Sequence, residues 1–390
     1  MPSDMQTASP GLAIRAPQAG TAGARPGYLF HPVVDFLFLG GASLFILPIC
    51  LLLPDSLEPE VLFYAWMLAH VINHPHFANS YQIFYRNFSG KAFGADYAPS
   101  LRARYIFAGI AVPFLLIAFL VTGMTQPDAR MLGFGANIMG FFVGWHYVKQ
   151  GYGMLIVDSV LKRQFFDAKE KKVFLIHAYI IWAYTWMSAN VIIAERDLLG
   201  IKHYTFDLPD PLLHIALALV VASGAAALWT LARKWRANGG SLPLNGLVAY
   251  AVTLYLWQAF RLDPKFVLIV PALHSLQYLL VVWRYQLNRE AARAPAGDAS
   301  SIDSLRRFMP SLKLRRFASF IAVGLVLGFL GFWGIPMTLD VALSYDKEIF
   351  GTKMCMFAFW IFINVHHYFL DNVMWRGENP DTRQYLFAHR

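Results

Sequence analysis

About ten stretches of the chain run for roughly 20 largely apolar residues, and no other feature limits its fold so strongly. A helix rising 1.5 Å per residue covers the roughly 30 Å hydrocarbon core of a bilayer in about 20 residues. Inside that core each backbone N–H and C=O must find its partner within the protein, and a helix supplies them all locally. The stretches are 29–53, 61–85, 104–123, 131–157, 173–194, 211–232, 243–260, 265–286, 316–338 and 352–374. Composition agrees, with 57% hydrophobic and only 15% charged residues, where a soluble domain carries about 25% charged. The expected fold is all-α: a polytopic integral membrane bundle of about ten transmembrane helices.

Loop charges give a separate estimate of the span count, because cytoplasmic loops gather Lys and Arg. Taking the N-terminus as inside, the expected inner loops hold Arg86, Lys91, Arg102 and Arg104, then Lys162, Arg163, Lys169, Lys171 and Lys172, then Arg233, Lys234 and Arg236. The longest inner loop, 287–315, adds Arg289, Arg293, Arg306, Arg307, Lys313 and Arg315. The intervening loops are poor in basic residues, and the first has Asp55, Glu58 and Glu60 with no Lys or Arg. The alternation holds over ten spans and puts both termini in the cytoplasm. Residues 1–27 read as a disordered tail without an apolar signal-peptide core, 28–376 as the transmembrane domain and 377–390 as a cytoplasmic tail. Residues 301–316 suit either a short basic helix lying on the anionic leaflet or a solvated linker.

The net charge of +9 does not indicate nucleic acid as a partner, since the basic residues sit between apolar runs and face the lipid bilayer instead. Cys50 and Cys355 form neither a CxxC motif nor a disulfide framework. The expected location is multi-pass in a bacterial inner membrane.

Polar groups in a spanning helix are costly and are retained for a reason. His70, His74 and His76 fall in the second run, His146 in the fourth, His274 in the eighth, and His366 and His367 in the tenth. All seven lie within roughly 6 Å of the midpoints of their spans. The four spans are even-numbered and therefore parallel, so their imidazoles can converge. His70 and His74 are spaced i, i+4 on one face, a pattern that offers two ligands to one metal. Gln150 shares a face with His146, Tyr278 follows His274 by one turn, and Asp371 follows His367 by one turn. The expected metal ligands are His70, His74, His146, His274, His366 and His367, with Asp371, Gln150 and Tyr278 as catalytic residues. His74, His146, His274 and His367 are expected within about 10 Å of one another, because a metal holds its ligands at about 2.0–2.2 Å. His76, His177 and His214 read as bridges between helices, and Asp35 as an interfacial cap. Imidazoles with one carboxylate suit non-haem Fe(II), which keeps open positions, while zinc and bis-His haem b remain as alternatives.

These motifs resemble the Brp/Blh family of membrane β-carotene 15,15′-dioxygenases. The matching segments are Asn73-His74-Pro75-His76, Trp145-His146-Tyr147, His274-Ser275-Leu276-Gln277-Tyr278, and His367 with Asp371. Tyr278 stands where the family's second His of His-Ser-x-x-His would be, and His70 or His366 would then replace it. The resemblance implies an iron oxygenase acting on an apolar lipid or isoprenoid substrate. A transporter, a b-haem electron carrier and a structural protein with helix-bridging histidines are the competing expectations.

Overall fold

The computed structural model describes residues 27–192, 197–198, 200–256, 266–293 and 312–387. The expected N-terminal tail and residues 301–311 of the basic segment lie outside them. Ten helical segments, nine of them long and α7 short, occur among the described residues, one for each apolar run: α1 (Pro32–Leu52), α2 (residues 58–85), α3 (Pro99–Met124), α4 (Arg130–Leu161), α5 (Ala168–Ile192), α6 (Asp210–Ala237), α7 (Leu244–Leu256), α8 (Phe266–Ala292), α9 (Leu314–Ala342) and α10 (Met354–Met374). The one strand pair among the described residues joins Asp197–Leu198 antiparallel to Ile201–Lys202, between α5 and α6. The fold is all-α.

Four of these helices, α1, α3, α6 and α9, are long and apolar enough to cross a membrane by length and composition. They do not hide their apolar faces in the bundle: only 11% of the most apolar window of α6 is buried. Leu52, Phe114, Leu228 and Val341 all project outward. In water such a surface would drive aggregation, whereas lipid accepts it. The helices α2, α4, α8 and α10 carry the midspan histidines, of which His74, His76, His146, His274, His366 and His367 are all buried. Lipid would reject these polar groups, and the outer helices cover them.

Local sequence explains the helix ends. Pro32 occupies the first turn of α1, where its missing N–H costs nothing. The Asp35 carboxylate accepts the backbone N–H groups of Leu29 (2.6 Å) and Phe30 (3.0 Å) and so ties down the segment that enters α1, while the cap itself is His31, whose ring accepts from the Val33 N–H. Lys91, beyond the C-terminus of α2, donates to the Ile83 and Phe84 carbonyls at 2.8 and 3.2 Å, satisfying orphan acceptors of the last turn. Burial lowers its pKa to about 8, with Asp381 opposing the shift. The C-terminal segment is not merely a tail. Pro380–Leu386 forms a short helix that returns to α8, with Asn288 donating to the Tyr385 carbonyl at 2.7 Å.

Two features place α2. A π-turn at Ala69–Asn73 runs directly into His74-Pro75. Proline frees the carbonyl four residues earlier, and the wider turn absorbs that defect. Gly324 and Gly328 on α9, spaced GxxxG, let that helix lie against α2. A Cβ at Gly328 would be 2.8 Å from the carbonyl carbon of His74, and one at Gly324 would be 2.4 Å from Asn79 Oδ1. Small residues at this spacing are how helices approach closely in a membrane.

Candidate metal centre

α2, α4 and α10 bring His76, His146, His367 and Asp371 into one buried group. One ligand atom from each lies within 4.8 Å of all the others. Asp371 Oδ2 is 3.3 Å from His367 Nε2 and 3.9 Å from His146 Nε2. The His76 ring centroid is 4.5 Å from that of His367, and His146 is 4.9 Å from His367. An ion with ligands at about 2.1 Å sets neighbouring donor atoms about 3.0–3.4 Å apart and opposite ones about 4.2 Å apart. Small side-chain rotations close the remaining gap.

The hydrogen bonds of this group are incomplete in a particular way. His76 Nε2, His146 Nε2, both ring nitrogens of His367 and Asp371 Oδ2 are buried with no hydrogen-bond partner. Each such atom costs about 1–3 kcal/mol if left unpaired. One unpaired nitrogen from each of the three histidines lies together with Asp371 Oδ2, and the unpaired His274 Nε2 is on a ring beside them. A buried His₃Asp group of this kind can hold a metal ion.

Surrounding residues decide which nitrogen carries the proton. Ser275 Oγ touches the Pro271 carbonyl (2.7 Å), Asn73 Oδ1 (2.8 Å) and His76 Nδ1 (2.9 Å). The hydroxyl has one proton, and both oxygens can only accept it. Ser275 therefore accepts from His76 Nδ1–H, which leaves the Nε2 lone pair free to ligate. His274 has the opposite tautomer. Gln150 Nε2 donates to its Nδ1 at 3.2 Å and is anchored on the His274 carbonyl (3.0 Å) and Gln277 Oε1 (3.2 Å). The proton of His274 then sits on Nε2, so His274 is a hydrogen-bond donor beside the centre. Its ring lies 5.0 Å from His146 and 5.5 Å from His76.

The expected site residues thus separate. His146, His274, His367, Asp371, Gln150 and Tyr278 gather here. His74 stacks on Phe332 of α9 at 4.4 Å, and His70 stacks on Trp333 at 5.6 Å while meeting the Trp66 carbonyl. His366 is held by the Ala108 carbonyl (3.0 Å) and Tyr81 Oη (2.9 Å). These three stand outside the ligand group. His76, read from sequence as a bridge between helices, belongs to it, because it lies about 200° around the helix from His74 and only one of the two can face α4 and α10. His177 does bridge helices, through Ser223 at 2.9 Å.

Tyr278 does not take the place of a ligand. Its hydroxyl donates to Asp371 Oδ1 at 2.9 Å and also meets Ser80 Oγ. It therefore presents Asp371 Oδ2 to the centre. Tyr278→Phe is expected to weaken metal binding about 10–100-fold, the usual cost of losing a ligand's support. A competition titration with a coloured chelator checks this, and unchanged affinity would show that Asp371 needs no such support.

A cavity of about 370 Å³ reaches the group at His146, Tyr278 and Asp371 and runs toward Lys171, Glu378 and Phe387. The centre is thus buried but approachable. Comparison of the chain with protein-family models, curated proteins and solved structures finds no match.

Proposed function

We propose that this protein is a multi-pass membrane oxygenase that holds non-haem iron at His76, His146, His367 and Asp371 and acts on a lipid or isoprenoid substrate. The observation that carries the reading is the cavity that ends on the ligand group. Four protein ligands complete a tetrahedral zinc site, and a structural zinc needs no access. The same four ligands leave two positions of an octahedral iron free, and a route from outside is then of use. Haem b fits less well. His76 and His146 are 6.2 Å apart and nearly parallel, as axial ligands would be, but His367 lies 4.5 and 4.9 Å from them, where the porphyrin plane would pass. The motif similarity to the Brp/Blh family points toward the same chemistry.

Iron bound here would supply the redox centre that dioxygen chemistry requires. The protein groups have separate tasks. Ser275 holds His76 in its ligating tautomer, and Tyr278 orients Asp371. His274 Nε2–H offers a proton donor beside the reacting atoms, and Gln150 keeps the proton there. Buried aromatic rings, Tyr147 stacked on His274 at 3.8 Å and Tyr368 on His146 at 4.5 Å, fix the planes of these imidazoles. Metal analysis with an optical spectrum of purified protein tests the reading. Iron near one per chain without a Soret band is expected; zinc alone, a Soret band or no metal would each reject it.

For topology, we propose ten spans with both termini in the cytoplasm, in a bacterial inner membrane. The ten helical segments and the alternation of loop charge support this. Reporters fused to either end are expected to be active only in the cytoplasm, and a C-terminal fusion active only outside would overturn the span count.

A further inference from the structure

Lys149 stands one turn beyond His146 on α4, a rise of about 4.5 Å, and lines the same cavity. It is half-buried and has no ion-pair or hydrogen-bond partner among the described residues. Arg376 and Arg104, the charged groups that act on it, have the same sign and repel it. Arg376 and Lys171 also line the cavity. Two carboxylates face the same space. Asp371 belongs to the ligand group, and Glu378 is engaged with Arg376 at 2.7 Å. Lys149 is therefore a half-buried cation on the wall of a cavity that reaches a candidate metal centre, with no partner of opposite charge among the described residues. Holding a charge so is costly unless a counter-charge arrives. Apolar side chains line the same cavity, Met154, Val157, Val281 and Leu386 among them.

We infer that the substrate is an amphipathic acid: its anionic head, a carboxylate or phosphate, seats on Lys149, and its hydrocarbon body lies along these apolar side chains. Arg376 and Lys171 attract the head as it enters. The carbon facing the centre then lies within a few bonds of the acid group, because Lys149 and His146 are one turn apart. This deepens the oxygenase reading and rests on it for the word substrate; the anion site itself rests on Lys149 and the cavity.

A scintillation proximity assay with tritiated palmitate on the purified full chain tests the inference, with metal content measured on the same samples. Unlabelled palmitate is expected to compete at least tenfold better than methyl palmitate. Lys149→Gln is expected to erase that preference, Lys149→Arg to restore most of it, and Lys169→Gln to leave it unchanged. Equal competition by acid and ester in the wild type overturns the inference without any mutant. Inorganic phosphate competing as well as palmitate would also overturn it, by showing a site for free anions. A Lys149-dependent preference in protein without metal would leave the anion site standing and reject the oxygenase reading. Full metal content with no preference for the acid would do the reverse.

Discussion

His76→Ala, His146→Ala and His367→Ala are each expected to lower metal affinity by more than about 100-fold, beyond what loss of a merely supporting residue costs. Oxygenase activity should fall with the metal. The protein should still insert and accumulate, because insertion depends on hydrophobicity summed over each span, and one His→Ala change makes a span more apolar. Removing an imidazole whose nitrogen is buried and unpaired also removes a desolvation cost of about 1–3 kcal/mol, so the metal-free variants need not be less stable than the metal-free parent. His74→Ala and His177→Ala, which touch Phe332 and Ser223, should keep their metal. Plasma emission analysis of purified variants reads the outcome. Equal metal loss from controls and ligand variants would falsify the assignment and return the histidines to a packing role.

The second large effect is expected at a glycine with no polar chemistry. Gly328→Leu places a Cβ 2.8 Å from the His74 carbonyl carbon and 2.9 Å from its oxygen. Backbone cannot swing aside as a side chain does, so α9 must move away from α2. Overpacking of this kind costs about 1–3 kcal/mol and occasionally more, and a rigid backbone neighbour puts Gly328→Leu at the high end. The consequence reaches the centre, because α9 sets the face of α2 that turns inward. We expect Gly328→Leu to lose most of its monodisperse protein after mild heating in detergent, and the surviving fraction to be poor in metal. Gly140→Leu is the control: nothing lies within 4 Å of a Cβ there. If Gly328→Leu melts with Gly140→Leu, α9 does not hold α2 in place.

Much of the arrangement was legible in the sequence. Each of the ten apolar runs became a helical segment, because a long run of apolar residues has few other ways to satisfy its backbone. Depth made it possible for His146, His274, His367 and Asp371 to meet, since their positions along their spans brought them to one level, but His70, His74 and His366 share that level and face elsewhere. The Asp371 spacing from His367 is a single helical turn, so their contact is local and needed no tertiary information.

What the sequence by itself left open was which face of each helix turns inward. His74 and His76 differ by two residues, about 200° of rotation, and His366 and His367 by about 100°. Both members of each pair share the same depth and the same residue type, so depth does not separate them. The i, i+4 spacing of His70 and His74 marks a common face but does not say what that face meets. The π-turn before Pro75 and the glycine contact of α9 against His74 turn His74 toward Phe332 and leave His76 for the centre. The tautomers were equally a tertiary matter. Ser275 and Gln150 belong to other helices than the histidines they bind to through Nδ1, and only their placement makes His76 a ligand and His274 a donor. Depth along a helix is a property of one chain segment, whereas rotation about its axis is chosen by the neighbours it packs against.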